Sequence, residues 1–442
     1  MDNNDYPSPY NRYEALLATE ALEYISAPAG NAFSALQQLH DNCKDWLFGH
    51  LGYDLKQETA QLIPDVNGEQ KAALKAFKAE EIGARKAAGI NALKEDRTNA
   101  PETDGIAFPD IYFFRPRVVM LLQREQVSIG GEEFTPEQAR EVYEACLQMP
   151  EKVVQQPGAT AQKKAITPQS HLHREGYLQA VRALQQHILR GDCYEVNFCR
   201  DNFIRDINIH PLTLFDKLNK LSPAPFAAYY KVKDQYLLCS SPERFMQQQG
   251  QTVISQPIKG TTRRLADPFL DAQARETLYN SPKERSENVM VVDLVRNDLA
   301  HTATPGSVAV EELYGIYSFA HVHHMISTVK ATRQPDLPFT AVMQHAFPMG
   351  SMTGAPKIKV MQLIDQYEPT RRGLFSGAVG YITPEGDFDL NVVIRSILYN
   401  AAARYLSFPT GSAITFYSDP VKEWEECLLK AEAMVKVLSH SH

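Results

Sequence analysis

From residue 173 onward the chain alternates short apolar, strand-like runs with helix-length stretches, and this succession restricts it to a fold that mixes both elements. A helix pattern over residues 175–190 stops at Gly191-Asp192 and gives way to a strand-like run at 193–198. Strand patterns follow at 226–230, 235–239, 252–254, 376–383, 387–398 and 413–416. Helix patterns lie at 282–299, 339–349, 356–367 and 420–438. Strands with helices interspersed predict an α+β or mixed α/β fold, not a doubly wound parallel sheet. Upstream, 111–123 and 126–129 read as strands and 136–149 as a helix. Two polar, Gly- and Pro-containing stretches, 88–105 and 150–170, read as linkers or long surface loops. They set an N-terminal region, 1–165, against a second region, 166–442.

The 442 residues, 44% hydrophobic and 22% charged, supply enough apolar material for a large core. A net charge of -8 gives no broad basic surface for nucleic acid or anionic lipid. The N-terminus is acidic and polar where a secretory signal needs a basic start and an apolar run, and no stretch reaches the length of a membrane span. A cytoplasmic protein is expected. Cys43, Cys146, Cys193, Cys199, Cys239 and Cys427 are scattered without CxxC spacing, which predicts reduced thiols and neither zinc nor a disulfide framework.

Two helix patterns carry paired carboxylates. Glu284 and Glu287 share one face, and Glu423, Glu426 and Lys430 share another, opposite an apolar stripe of Trp424, Cys427, Leu428 and Ala431. Like charges at this spacing repel by roughly 0.2–0.5 kcal/mol unless a cation relieves them. Taken alone, such pairs are usually solvated faces. Lys259 sits between Ile258 and Gly260 in a turn-like segment opened by Pro257, where desolvation would lower its pKa and free a nucleophilic amine. Taken alone, it would be a surface loop lysine. Glu243, at the end of a strand, could stay protonated when buried and serve as general acid, or simply pair with Arg244.

In order along the chain, several segments resemble the chorismate-utilising enzymes, a family that includes anthranilate synthase component I, aminodeoxychorismate synthase component I, isochorismate synthase and salicylate synthase. They include Gly191-Asp-Cys-Tyr-Glu-Val-Asn197, Ser241-Pro-Glu-Arg-Phe245, Pro257-Ile-Lys-Gly-Thr261, the run from Glu287 to Asp298, His324-Met-Ile-Ser327 and the run from Phe347 to Lys357. Asn391 to Arg395 and Ser418 through Lys430 complete the series. The resemblance implies packed antiparallel sheets flanked by helices, with the active site in a central cleft and the N-terminal part joined to the body. It implies Mg2+ held by Glu287 and Glu426, with Glu284 and Glu423 reaching the ion through water. It places Arg395 and Lys430 on substrate carboxylates, His324 and Thr261 beside the ring, and the backbone of Gly411, Ser412 and Ala413 as a further carboxylate cradle. His321 and His323 are expected to be structural.

Within that family, a lysine at the position of Lys259 marks the members that aminate chorismate at C4, whereas anthranilate synthases and the members that keep or exchange the ring hydroxyl usually have Ala. The implied course is attack by Lys259 at C2, protonation of the departing C4 hydroxyl by Glu243, and addition of ammonia to give 4-amino-4-deoxychorismate, on the way to 4-aminobenzoate and folate. No cysteine sits in a glutaminase-like elbow, so ammonia is expected free or from a separate glutamine amidotransferase subunit. No appended lyase and no Leu-Leu-Glu-Ser segment for tryptophan feedback is recognised. Two positions depart from the pattern: Glu195 stands where amine-using relatives usually have Gln, and Ser412-Ala413 replaces Ala-Gly. A carboxylate at 195 could meet ammonium or bond nearby backbone. Anthranilate synthase component I and a non-catalytic chorismate-binding regulatory subunit stay open as alternatives.

Overall fold

The computed structural model describes residues 1–62, 104–124, 126–132, 134–149 and 167–439. The linker-like stretches lie outside these residues except for 104–105 and 167–170, and so does the division near 165.

Eleven of the described strands form one antiparallel sheet. Its order is Ala15–Ala27, Ile111–Gln123, Leu47–Leu51, Ala378–Ile382, Phe388–Val392, Arg244–Gln249, Thr252–Gln256, Val322–Thr332 and Ile258–Arg263. Ala309–Ser318 also pairs with Val322–Thr332, and Gln126–Gly130 with Ile111–Gln123. The N-terminal strands are hydrogen-bonded directly to C-terminal ones, Leu51 opposite Ala378 and Gly49 opposite Gly380. Leu47, Leu51, Ile111 and Phe113 accordingly share one buried cluster with Phe245, Val253, Val329 and Leu390.

Two smaller antiparallel sheets complete the body. One has the order Gly354–Ala355, Glu195–Arg200, Thr410–Ile414; the other runs Phe203–Ile204, Tyr405–Ser407, Ser396–Asn400, Gln235–Ser241, Phe226–Val232. The helices around them start on local signals. Thr135, Asp267 and Ser281 each cap a helix whose first residue is proline, so an N–H that would be orphaned is absent and others are met by the cap side chain. Asp419 does the same for Pro420–Ser439, accepting from the amides of Val421 and Lys422. No helix of the described residues is long and apolar enough to cross a membrane. All six cysteines are free thiols, four of them buried.

Several expected elements take a different form. The strand expected over 387–398 is two, Phe388–Val392 in the large sheet and Ser396–Asn400 in the five-stranded one. The break falls at Arg395, whose φ of 52° turns the chain from one sheet to the other. Lys259 lies within the strand Ile258–Arg263 and not in a loop; a register shift between Ile258 and Thr261 accommodates Gly260 at φ +94°. The helix expected over 339–349 ends at Ala346; extended residues at 347 and 349 separate it from a 3-10 turn, Gly350–Met352.

One buried cation joins the small sheet to its surroundings. Arg372 donates twice to Glu368 (2.8 and 2.6 Å), to the carbonyl of Met352 (2.7 Å) and to that of Asn197 (2.8 Å), above the ring of Tyr53. Glu368 in turn accepts from the Cys199 amide at 2.9 Å. Truncating one member of such a pair strands the other charge in the interior. Arg372→Ala should therefore cost about 3–5 kcal/mol of unfolding free energy by denaturant titration; a loss below about 1 kcal/mol would show that the network relaxes without it.

Candidate functional site

The candidate residues arrive from four places in the fold. Ile258–Arg263 carries Lys259 and Thr261, and its neighbour Val322–Thr332 carries His324 directly opposite Thr261. The helix Pro282–Ala300 packs against both strands and supplies Glu284 and Glu287. The helix Pro420–Ser439 packs against Thr410–Ile414 and supplies Glu423, Glu426 and Lys430. Glu243 lies in the turn between Gln235–Ser241 and Arg244–Gln249.

Lys259 is 9% exposed, and its ammonium donates to Oε1 of Glu195, itself 1% exposed, at 2.5 Å. This overturns the expected depression of the lysine pKa. Burial is the largest single influence and acts downward, but the carboxylates of Glu195, Glu287 and Glu243 together outweigh it and hold the amine above its usual value. The pair joins the edge of the large sheet to the first residue of Glu195–Arg200 in the small one.

Glu243 is 4% exposed and does not pair with Arg244, whose guanidinium goes to Asp389 at 2.8 and 3.0 Å and to Gln256. Burial pushes the Glu243 carboxyl up to about 7, against the opposing field of Lys259. At neutral pH it is part protonated, the state a general acid needs.

The two acidic helices face one electrostatic centre. Lys283 feels all four carboxylates, Glu287 first and then Glu284, Glu423 and Glu426, and its Nζ stands 3.8 Å from Glu287. Burial raises Glu287 to about 7 and also raises Glu284 and Glu423. Glu426 is lowered: burial acts upward on it, but the neighbouring ammonium of Lys430, at 2.7 Å, prevails. Gly260 makes this proximity possible, because a Cβ there would stand 3.1 Å from Oε2 of Glu284.

Lys430 also donates to the carbonyl of Gly411 at 2.8 Å, tying the last helix to the strand below it. That strand is the outer member of the small sheet, so among the described residues the far side of Gly411, Ser412 and Ala413 has no strand partner. The Ser412 hydroxyl is fully buried and bonded to that of Tyr177 at 2.9 Å. Gly411 passes so near Cys199 that a Cβ would meet its sulfur at 2.4 Å. Among the described residues the Arg395 side chain makes no hydrogen bond or ion pair, and burial lowers its pKa against the pull of Glu426.

His324 shares a hydrogen bond of 2.8 Å with the Thr261 hydroxyl, and burial, followed by the fields of Arg395 and Lys430, pushes its pKa down to about 3. A neutral imidazole results. His323 is fully buried between Ser318 and Asp271, and His321 bonds the carbonyl of Leu221.

Among the described residues no group of three or more His, Cys, Asp or Glu side chains is arranged to hold a metal ion alone. Mg2+ keeps several waters and needs only one or two protein carboxylates beside a ligand's oxygens, so the all-oxygen set of Glu287 and Glu426 fits that ion. Desolvated carboxylates repelling one another across two helices are the charge pattern a divalent cation relieves. A separate hollow lined by Met1, Asn11, Tyr13, Phe226, Tyr381 and Asn391 among others includes none of these groups.

Comparison with known proteins gives a consistent picture. A family model described as chorismate binding enzyme matches residues 14–436. The chain is 41% identical over 267 residues to an aminodeoxychorismate synthase of Streptomyces griseus, covering 60% of this chain and 36% of that protein. It is 38% identical over 269 residues to aminodeoxychorismate synthase component 1 of Klebsiella aerogenes, covering 61% and 59%. The alignments thus span less than two thirds of either relative. The crystal structure of anthranilate synthase component I from Streptococcus pneumoniae superposes with a TM-score of 0.74 at 21% identity over 97% of this chain and 93% of that one. The menaquinone-specific isochorismate synthase of Escherichia coli gives 0.68 at 15% over 96% and 85%. At these identities the likeness concerns the fold.

The raised Glu287 pKa has a signed consequence. Between pH 4.5 and about 7 the folded chain keeps a proton that the unfolded chain has released, so this group's contribution to stability falls as pH rises through that window. At about 1.4 kcal/mol per pKa unit, the loss is on the order of 3 kcal/mol. Metal-free Glu287→Gln should accordingly unfold at a higher temperature than the parent at pH 8 but not at pH 4.5. An equal difference at both pH values in chelator would contradict this.

Proposed function

The chain belongs to the chorismate binding enzyme family, and on that premise we propose that it is an aminodeoxychorismate synthase component I, a cytoplasmic enzyme that aminates chorismate at C4. The relatives' names support the choice of reaction. The observation that carries it is the burial of an amine, Lys259, and a carboxyl with a pKa near 7, Glu243, in one electrostatic environment.

In this reading the neutral Lys259 amine attacks C2 of chorismate. The ring double bond shifts, the C4–O bond breaks, and Glu243 gives its proton to the departing hydroxyl, which leaves as water. Ammonia then forms a bond to C4, the C2–N bond to Lys259 breaks, and the Glu243 carboxylate takes back a proton from the new ammonium. Dividing one difficult displacement into two allylic ones is the gain of covalent catalysis. Arg395, with its planar fork, and Lys430 grip the substrate carboxylates, the backbone of Gly411–Ala413 cradles one of them, and Thr261 with neutral His324 fixes the ring. Mg2+, held by Glu287 and Glu426 with Glu284 and Glu423 acting through water, would neutralise a substrate carboxylate. Ammonia comes free or from a separate glutamine amidotransferase subunit, and the product serves 4-aminobenzoate and folate synthesis.

Incubation with chorismate, Mg2+ and ammonium should yield 4-amino-4-deoxychorismate, which a lyase converts to 4-aminobenzoate. Fluorescent anthranilate with pyruvate would instead identify an anthranilate synthase, and ligand binding without turnover a regulatory subunit. Lys259→Ala should abolish the covalent mass increase seen when chorismate is trapped on the intact protein. Glu243→Gln should slow attachment by about 100-fold or more. Because Glu243 must be protonated to act, attachment by the parent should decline as pH rises through about 7; a rate that climbs across that pH would exclude it as the acid.

A further inference from the structure

A lysine acting as nucleophile must first lose a proton, and the structure restricts where that proton can go. Among the described residues the Lys259 ammonium makes one hydrogen bond, to Oε1 of Glu195 at 2.5 Å. The other charged groups that face it, Glu243 from the turn after Gln235–Ser241, Glu284 and Glu287 from the helix Pro282–Ala300 and Glu426 from the helix Pro420–Ser439, share its field and form no ion pair with it within 4 Å among the described residues. Beyond them, Lys430 faces Glu243 and Lys283 faces Glu287. Glu243 is also occupied, since it must deliver its own proton to the leaving hydroxyl.

Glu195 has the features of an acceptor. It is 1% exposed, so bulk water does not compete for its proton. Its second oxygen, Oε2, is buried and has no hydrogen-bond partner among the described residues, so no other donor is engaged with the carboxylate. Its backbone is fixed between two strands, opposite Ala355 on one side and within the strand that pairs Thr410–Ile414 on the other. Residues 195 and 259 thus stand on separate sheets and meet only through this contact.

We propose that Glu195 is a catalytic base in this chain: it removes the proton from the Lys259 ammonium, stores it while lysine is bonded to C2, and returns it when the amine is released. This rests on the reading of Lys259 as nucleophile given above. The N–H bond of the ammonium breaks and its electron pair becomes the nucleophile, while Oε1 gains the proton and becomes a carboxylic acid. After attack the secondary ammonium keeps its two remaining protons. When ammonia has bonded to C4 and the C2–N bond breaks, lysine departs as a neutral amine, and the proton moves back from Glu195 to restore the ion pair. The carboxylate is regenerated, and no outside acid or base is consumed.

The test is the rate of covalent attachment of chorismate to Lys259, followed by intact mass after rapid quenching, between pH 5 and 6, where Glu243 keeps its proton. The parent should show a level rate across this range, because the proton passes within the pair. Glu195→Gln keeps the shape and a hydrogen-bonding amide but cannot accept a proton. It should attach chorismate about 100-fold more slowly at pH 6, with a rate that climbs about tenfold per pH unit as lysine loses its proton to solvent instead. Glu195→Asp, which keeps a carboxylate, should be slower than the parent yet level with pH, and it carries the test alone if the Gln variant does not fold. Chorismate affinity should be little changed in both variants. Attachment by Glu195→Gln at the parent's rate, or a climbing profile for Glu195→Asp, would overturn the assignment while leaving the nucleophile intact. If the parent itself forms no adduct at Lys259 under conditions in which it makes product, the covalent reading fails and this one with it.

Discussion

The contact between Lys259 and Glu195 is the constraint on which the candidate site depends. Taking both charges out of water costs several kcal/mol for each ion, and an apolar pair of equal volume would often serve stability as well or better. Stability therefore does not explain it. The two residues belong to different sheets, one at the edge strand Ile258–Arg263 and the other opening Glu195–Arg200. Their attraction fixes the spacing between the wall that carries Thr261 and His324 and the wall that carries Gly411 and Lys430. Arg263 and Glu432, at 3.3 Å on the surface, span the same two walls with a weaker, solvated pair.

The carboxylates around this contact are placed at some cost to the fold. Glu243, Glu284, Glu287 and Glu423 all resist ionisation, in each case chiefly because burial strips their water. Only Glu426, next to Lys430, ionises more readily than usual. Solvated surface acids would not resist ionisation in this way, so the arrangement is a charged interior in search of counter-charge. Lys283 supplies part of it from the first turn of its helix.

Much of this architecture is legible in the sequence where periodicity is strong and ends are punctuated. The strand Ile111–Gln123 and the helix Pro282–Ala300 follow directly from apolar patterning and a Ser-Pro start. The helix Pro268–Asn280 is not evident from patterning, because its outer residues Phe269, Leu270 and Tyr279 are exposed and blur any apolar stripe. The Asp267-Pro268 cap was the available signal. Val322–Thr332 is buried on both faces, so it lacks the alternation by which a half-exposed strand is recognised. At the site, residue types and order suggest the cluster, whereas the pairing of Lys259 with Glu195, 64 positions apart, depends on how two sheets meet. Local reasoning sees the apolar neighbours of Lys259 and infers a depressed pKa; the distant carboxylate reverses the sign.

Arg395 is the last of the three residues, 393–395, by which the chain leaves the large sheet and enters the five-stranded one, in a left-handed conformation that an arginine adopts only when its surroundings enforce it. Its guanidinium direction is therefore geared to the angle between the two sheets. Any rocking of one layer against the other would swing this side chain with it.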